Sequence, residues 1–215
     1  MVQVNIAERE IAVKVVYYGP ALSGKTTNLQ MLHELLSEDR RGRMVTLDTQ
    51  GDRTLYFDFL PIEFGTQSGF SVKLKLFTVP GQVMHRSTRK VVLSGADGVA
   101  FIADSQRSSA SANAYSWRDM EANLKSNGID FETIPKVVQF NKRDLPDIKT
   151  LEAIRSAWGD VPTFPAVALR GDGVRETFRE LLRQMYRGLD GRHQLDGKFG
   201  ISEEDFLKGM FRGLA

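Results

Sequence analysis

Residues 19 to 26 read Gly19-Pro20-Ala21-Leu22-Ser23-Gly24-Lys25-Thr26, set between an apolar run, Ile11-Ala12-Val13-Lys14-Val15-Val16-Tyr17-Tyr18, and a segment of helical periodicity. A chain with this order passes from a strand through a tight, glycine-bounded loop straight into a helix. The glycines let the backbone curl where a Cβ would obstruct it, and the first amides of the helix face the loop as anion donors. Lys25 reaches the β- and γ-phosphates of a nucleotide held there, and the Thr26 hydroxyl is a Mg²⁺ ligand. The spacing alone is moderately specific; the strand before it and the helix after it make it a phosphate loop rather than an ordinary turn.

Strand-like runs alternate with helix-period segments along most of the chain, which calls for an α/β layered fold. Strands are expected near residues 10–18, 54–60, 71–79, 97–103, 136–140 and 164–168, and helices near 24–37, 83–94, 111–127, 149–158 and 173–187. Between the second and third strands there is no room for a helix, so these two pair as an antiparallel hairpin. The expected architecture is a mostly parallel six-stranded sheet with one antiparallel edge pair and helices on both faces. Ligands in such sheets lie beyond the C-terminal strand ends, where the phosphate loop falls. The long polar connection over residues 38–53 is a candidate switch beside that loop, and Met44-Val45-Thr46-Leu47 within it has the pattern of a short extra strand.

Composition narrows the partners. The chain has 215 residues, 41 % hydrophobic and 26 % charged, with 29 Lys and Arg against 27 Asp and Glu, for a net charge of +2. Interleaved charges of this kind create no long-range field for nucleic acid. There is no cysteine, which excludes disulfides, a thiol nucleophile and a thioether or thioester lipid anchor; Val2 excludes N-myristoylation of this start. The start lacks a signal-peptide pattern, so a cytoplasmic protein is expected. Gly188, Gly191 and Gly197 interrupt the chain, dividing it into a domain over 1–187 and an extension over 188–215. The extension holds a short amphipathic helix with Ser202 as N-cap and Ile201, Phe206, Leu207, Met210, Phe211 and Leu214 loosely on one face. That face packs on its own domain, on a protein partner or on a membrane.

Two further motifs read the rest of the ligand. Asn141-Lys142-Arg143-Asp144 follows an apolar strand and has the N-K-x-D form that selects guanine. The Asp144 carboxylate accepts from guanine N1–H and the exocyclic amine, groups that adenine lacks. Asn141 braces the loop, the stem of Lys142 covers the ring face, and the backbone N–H of Ala168, followed by Leu169, is directed at guanine O6. Thr78-Val79-Pro80-Gly81-Gln82 ends the hairpin. Gly81 lets its amide approach the γ-phosphate, and Gln82 orients the attacking water. Thr78 stands where an Asp commonly supports Mg²⁺ through a water, and Asp58 on the neighbouring strand is a candidate substitute for it. His33, His85 and His193 are isolated in the sequence, and Trp117 and Trp158 lie in helical patterns as packing residues.

These segments, with Arg53-Thr54-Leu55-Tyr56-Phe57-Asp58-Phe59-Leu60-Pro61, Tyr17-Tyr18-Gly19-Pro20 and Asn141-Lys142-Arg143-Asp144-Leu145-Pro146, resemble the bacterial MglA family of small Ras-like GTPases, over about residues 5 to 187. The resemblance implies a Ras-like P-loop G domain, GTP and GDP as substrate and product, and Mg²⁺ as cofactor. It implies a Roadblock/LC7 (MglB-type) homodimer as activating partner and downstream polarity or motility effectors. The nucleotide contacts it implies are Gly19, Ala21, Leu22, Ser23, Gly24, Lys25, Thr26 and Thr27 in the loop, Gly81 at the γ-phosphate, and Asn141, Lys142, Asp144, Ala168 and Leu169 around the base. Arg53 matches an intrinsic arginine finger brought in by a shift of the switch and hairpin strand, a group that contributes ~10³ to 10⁵ in rate. Thr54 serves the switch, Mg²⁺ and the γ-phosphate, with Thr46 and Thr49 as rival ligands in the same loop. Ala21 stands where Ras-like loops carry glycine facing the γ-phosphate, so two readings stay open: a slowly hydrolysing switch, or a GTP-binding scaffold with little or no turnover. A P-loop ATPase or kinase is disfavoured by the guanine motif.

Overall fold

The computed structural model describes residues 3–36, 39–47, 57–82 and 85–211. Its sheet has eight strands: β1 (Gln3–Asn5), β2 (Glu10–Tyr18), β3 (Val45–Leu47), β4 (Phe57–Gly65), β5 (Ser71–Thr78), β6 (Gly98–Asp104), β7 (Lys136–Asn141) and β8 (Thr163–Pro165). Their order is β3-β4-β5-β2-β6-β7-β8, with β1 antiparallel on β2. β2 pairs in parallel with β5 and β6, and β6, β7 and β8 continue in parallel. β4 is antiparallel to both β3 and β5. The helices are α1 (Lys25–Leu35), α2 (Arg86–Leu93), α3 (Ala110–Ser126), α4 (Leu151–Trp158), α5 (Val174–His193), α6 (Leu195–Phe199) and α7 (Glu203–Phe211).

Alternation along β2 divides the core. Val13, Val15 and Tyr17 face a layer built with α1, α5 and α7, while Val16 and Tyr18 face α2, α3 and α4. Trp117 and Trp158 pack edge to face in the second layer, 4.5 Å between ring centres, against Phe101.

Three expectations are corrected. Among the described residues the sheet has eight strands rather than six: β3 is the short extra strand expected at 44–47, paired with β4, and the unexpected β1 adds an antiparallel partner to β2. β4 continues to Gly65 through Pro61, where residues 54–60 were expected. Within a strand a residue's N–H and C=O point to the same side; Pro61 O accepts from Gly42 N at 2.9 Å. The missing N–H therefore faces the edge beyond β3 and not the β5 ladder, so the inward burial of Leu60, Ile62 and Phe64 carries the strand on. α5 runs to His193, through Gly188 and Gly191, because Leu181, Leu182, Met185, Tyr186 and Leu189 extend one buried stripe. That burial offsets the ~1 kcal/mol each glycine costs a helix.

The extension docks on its own domain. Asp205 N donates to Ser202 Oγ at 3.1 Å, the expected cap, and Ile201, Phe206 and Met210 are fully buried. Phe206 meets Phe64 of β4 edge-on at 5.8 Å, and both carboxylate oxygens of Asp205 accept from Gln67 N in the β4–β5 turn. The Phe211 side chain and Leu214 lie outside the described residues. Among the described residues no helix is long and apolar enough to cross a membrane.

Candidate functional site

The loop between β2 and α1 is built around two left-handed glycines. Gly19 has φ +144° and Gly24 φ +99°. A Cβ at Gly19 would lie 2.2 Å from Ile102 O, and one at Gly24 would lie 2.2 Å from Asn141 Nδ2, so both positions exclude any side chain. Leu22, at φ +61°, forms the exposed tip beside the exposed Ala21. Ser23 Oγ is buried with no hydrogen-bond partner among the described residues, and Thr27 is half-buried. Lys25 reaches back across the loop, its ammonium donating to Gly19 O at 3.0 Å and Pro20 O at 2.6 Å. Its pKa is lowered to about 7, by burial above all and by the Arg89 guanidinium, with Asp58 opposing both.

Asp58 joins four segments. Its carboxylate accepts from Thr26 Oγ1 at 2.6 Å, Thr46 Oγ1 at 3.0 Å and Thr78 Oγ1 at 2.9 Å, and Thr78 Oγ1 in turn accepts from Asp58 N at 2.8 Å. Asp58 is only 5 % exposed. The carboxylate missing from position 78 is thus supplied one strand over, on the neighbour of Thr78 in the hairpin, and it touches the hydroxyl expected to ligate Mg²⁺. Mg²⁺ takes one or two protein oxygens with waters and substrate phosphates, and hydroxyls backed by a carboxylate suit that demand. Thr46 lies in this cluster; Arg53, Thr54 and Thr49 lie outside the described residues.

The segment after β5 rests on the loop. A Cβ at Gly81 would lie 2.3 Å from Ala21 N and 2.4 Å from Ala21 Cα, so backbone meets backbone at the residue that departs from glycine. The Gln82 side chain is exposed, and the Gln82 backbone carbonyl accepts from Arg89 Nη1. Arg89 also donates to Pro80 O at 3.3 Å, and through Nε to Asp119 Oδ2 at 2.7 Å. Sequence reasoning missed this pair. A charged residue on the α2 face shared with Val92 and Leu93 was the available signal, but its partner is thirty positions away on another helix.

On the base side, Asn141 Nδ2 donates to Ser23 O at 2.9 Å, and Asn141 Oδ1 accepts from Ala168 N at 2.8 Å. The Ala168 amide, directed at the base by sequence reasoning, is therefore spent on Asn141 here, because the side chain that braces the loop also presents an acceptor. Lys142 has φ +64° and pairs with Asp104 at 2.7 Å; Asp104 also accepts from Gln106 N, bracing the end of β6. Asp144 and Leu169 are exposed at the rim. A cleft of about 1170 Å³ at the other end of the sheet, lined by Lys136, Asp160 and Arg187, touches none of these residues.

The loop, the Asp58 cluster, the Gly81 segment and the Asn141 brace thus meet at one end of the sheet. No protein-family profile matches the chain. It is 44 % identical over 182 residues, 84 % of its length and 93 % of the relative's, to the mutual gliding-motility protein MglA of Myxococcus xanthus.

Proposed function

The chain belongs to the MglA family, and on that premise we propose that it is a GTP-dependent switch that hydrolyses GTP slowly to GDP and acts in gliding motility or cell polarity. The fold is that of a Ras-like G domain. One observation carries the guanine-nucleotide reading: Asn141 hydrogen-bonds both the phosphate-loop carbonyl of Ser23 and the Ala168 amide, so the guanine motif and the phosphate loop form one bracket.

In this reading Gly19, Ala21, Leu22, Ser23, Gly24, Thr26 and Thr27 wrap the phosphates. Lys25 gives up its loop carbonyls to neutralise phosphate charge, and the fall in its pKa through burial reverses as anionic oxygens approach. Asp144 selects guanine, with Lys142 and Leu169 beside the base. Thr26 and Thr54 would hold Mg²⁺, which would supply charge neutralisation at the phosphates. Gln82 orients the water for in-line attack, Gly81 offers its amide to the γ-phosphate, and Arg53 stabilises the charge that develops in transfer. A Roadblock/LC7 (MglB-type) homodimer brings Arg53 into place. Polarity or motility effectors read the GTP form, and recruitment to a pole runs through such partners.

A second reading rests on the contact between Gly81 and Ala21. With backbone against backbone there, the Ala21 methyl crowds the space a water, Gln82 or an arginine needs, which favours a GTP-binding scaffold with little turnover. Single-turnover GTP hydrolysis with and without a Roadblock-type dimer separates the two. A switch shows stimulation that Arg53→Ala and Gln82→Leu abolish, with losses of about 10³-fold or more for the arginine. A native chain that the dimer does not stimulate, alongside an Ala21→Gly variant that it does, establishes the scaffold.

A further inference from the structure

Arg89 and Asp119 have no part in the chemistry above. Arg89 is 3 % exposed, and its guanidinium meets acceptors from two directions: Asp119 on α3, and the carbonyls of Pro80 and Gln82 on either side of Gly81. Asp119 is itself fixed, accepting from Tyr18 OH at 2.5 Å and Asn123 Nδ2 at 3.1 Å, with Arg86 Nε 3.5 Å from its other oxygen. Tyr18 immediately precedes the phosphate loop. A continuous set of hydrogen bonds therefore runs from the end of β2 through Asp119 and Arg89 to the backbone that flanks Gly81.

We propose that Arg89 is a positioning residue for the γ-phosphate end of the site, orienting the Gly81 amide and the Gln82 backbone. In a planar trans peptide the C=O of one residue and the N–H of the next point in opposite directions. Holding Pro80 O toward the Arg89 guanidinium therefore turns the Gly81 N–H away from it, and holding Gln82 O sets the Cα from which the Gln82 side chain swings. Packing against Ala21 holds one side of Gly81, but among the described residues the side toward α3 is open. A cavity of about 400 Å³ opens between the phosphate loop, Gly81, Gln82 and α3, lined by Ala21, Tyr115 and Ser116 together with Arg89 and Asp119. The planar guanidinium reaches a carboxylate and two carbonyls at once from one rigid fork; an ammonium on a flexible stem does not reproduce that geometry.

The role rests on the guanine-nucleotide reading, and the test separates the two. Affinities for GDP and for a non-hydrolysable GTP analogue, with single-turnover GTP hydrolysis, are measured on the full native chain, on Arg89→Lys, and on Arg89→Met/Asp119→Asn, which leaves neither charge buried alone. The expected result is unchanged GDP affinity in both variants, with analogue affinity and hydrolysis each reduced, hydrolysis by about 100-fold. Native hydrolysis and analogue affinity in a variant that binds GDP normally overturn the positioning role alone. Equal losses for GDP and the analogue overturn it too, as a structural effect. A native chain that binds neither nucleotide overturns the nucleotide reading and the positioning role with it.

Discussion

Asp58 places on β4 a carboxylate of the kind commonly found at the position of Thr78 on β5, and the hairpin sets the two side by side. The two residues face each other across β4 and β5, linked in both directions by hydrogen bonds of 2.8 and 2.9 Å. The Asp58 carboxylate reaches the Thr26 and Thr78 hydroxyls at once, so a carboxylate moved across the hairpin to position 78 is expected to stay near Thr26. Removing the charge with Asp58→Asn is expected to weaken the Mg²⁺ dependence of nucleotide affinity by about 10- to 100-fold. Restoring it with Asp58→Thr/Thr78→Asp is expected to recover most of that loss; nucleotide affinity titrated against Mg²⁺ checks both. The adjacency of the two strands was readable from the hairpin pattern, which is why Asp58 could be singled out from the sequence. Arg89 and Asp119 were not, because nothing local records which buried charge on one helix meets which on another.

Among the elements, α5 and α7 carry the docking of the extension on its own domain, the first of the placements its sequence left open. Tyr186 on α5 donates to Ile201 O at 2.7 Å and packs its ring against Phe206, so the helix that ends the sheet domain also seats the extension. Burial, with the charges of Asp190, Asp196 and Glu203 nearby, pushes the Tyr186 hydroxyl up to about 12 from an ordinary 10.0. The folded chain therefore keeps this proton where the unfolded chain releases it. That contribution to stability is complete below pH 10 and is lost as pH rises through 10 to 12. Thermal melting across that range is expected to fall more steeply for the native chain than for Tyr186→Phe. Equal slopes for the two chains count against a coupling between the hydroxyl and the docked helix.

At the scale of the whole molecule, parallel pairing gathers the site. β2, β5, β6 and β7 run the same way, so Gly19, Thr78, Asp104 and Asn141 all follow or close their strands at one end of the sheet. The contacts of α7 with Phe64 and Gln67 lie at the opposite end of β4 from Asp58. Phe206→Ala is therefore expected to cost about 3 to 5 kcal/mol of stability in denaturant unfolding while leaving guanine-nucleotide affinity unchanged. A parallel fall in affinity would show that the two ends are coupled.

By itself the sequence determined the groups whose chemistry is local: the glycines that free the phosphate loop, Lys25 and Thr26 at its end, the Asn141 to Asp144 motif, and the alternation that makes the layered sheet. These need only neighbours in the chain, because backbone curvature and strand or helix period act over a few residues. Tertiary structure decided what depends on distance through space: the closure of three threonine hydroxyls on Asp58, the bracket from Asn141 to Ser23 and Ala168, and the seating of α7 on β4. It also decided the reach of Arg89 to Asp119 and to the carbonyls beside Gly81. A hydrogen bond between separate segments of the chain leaves no periodic trace in either one, and only the packed fold brings its donor within reach of its acceptor.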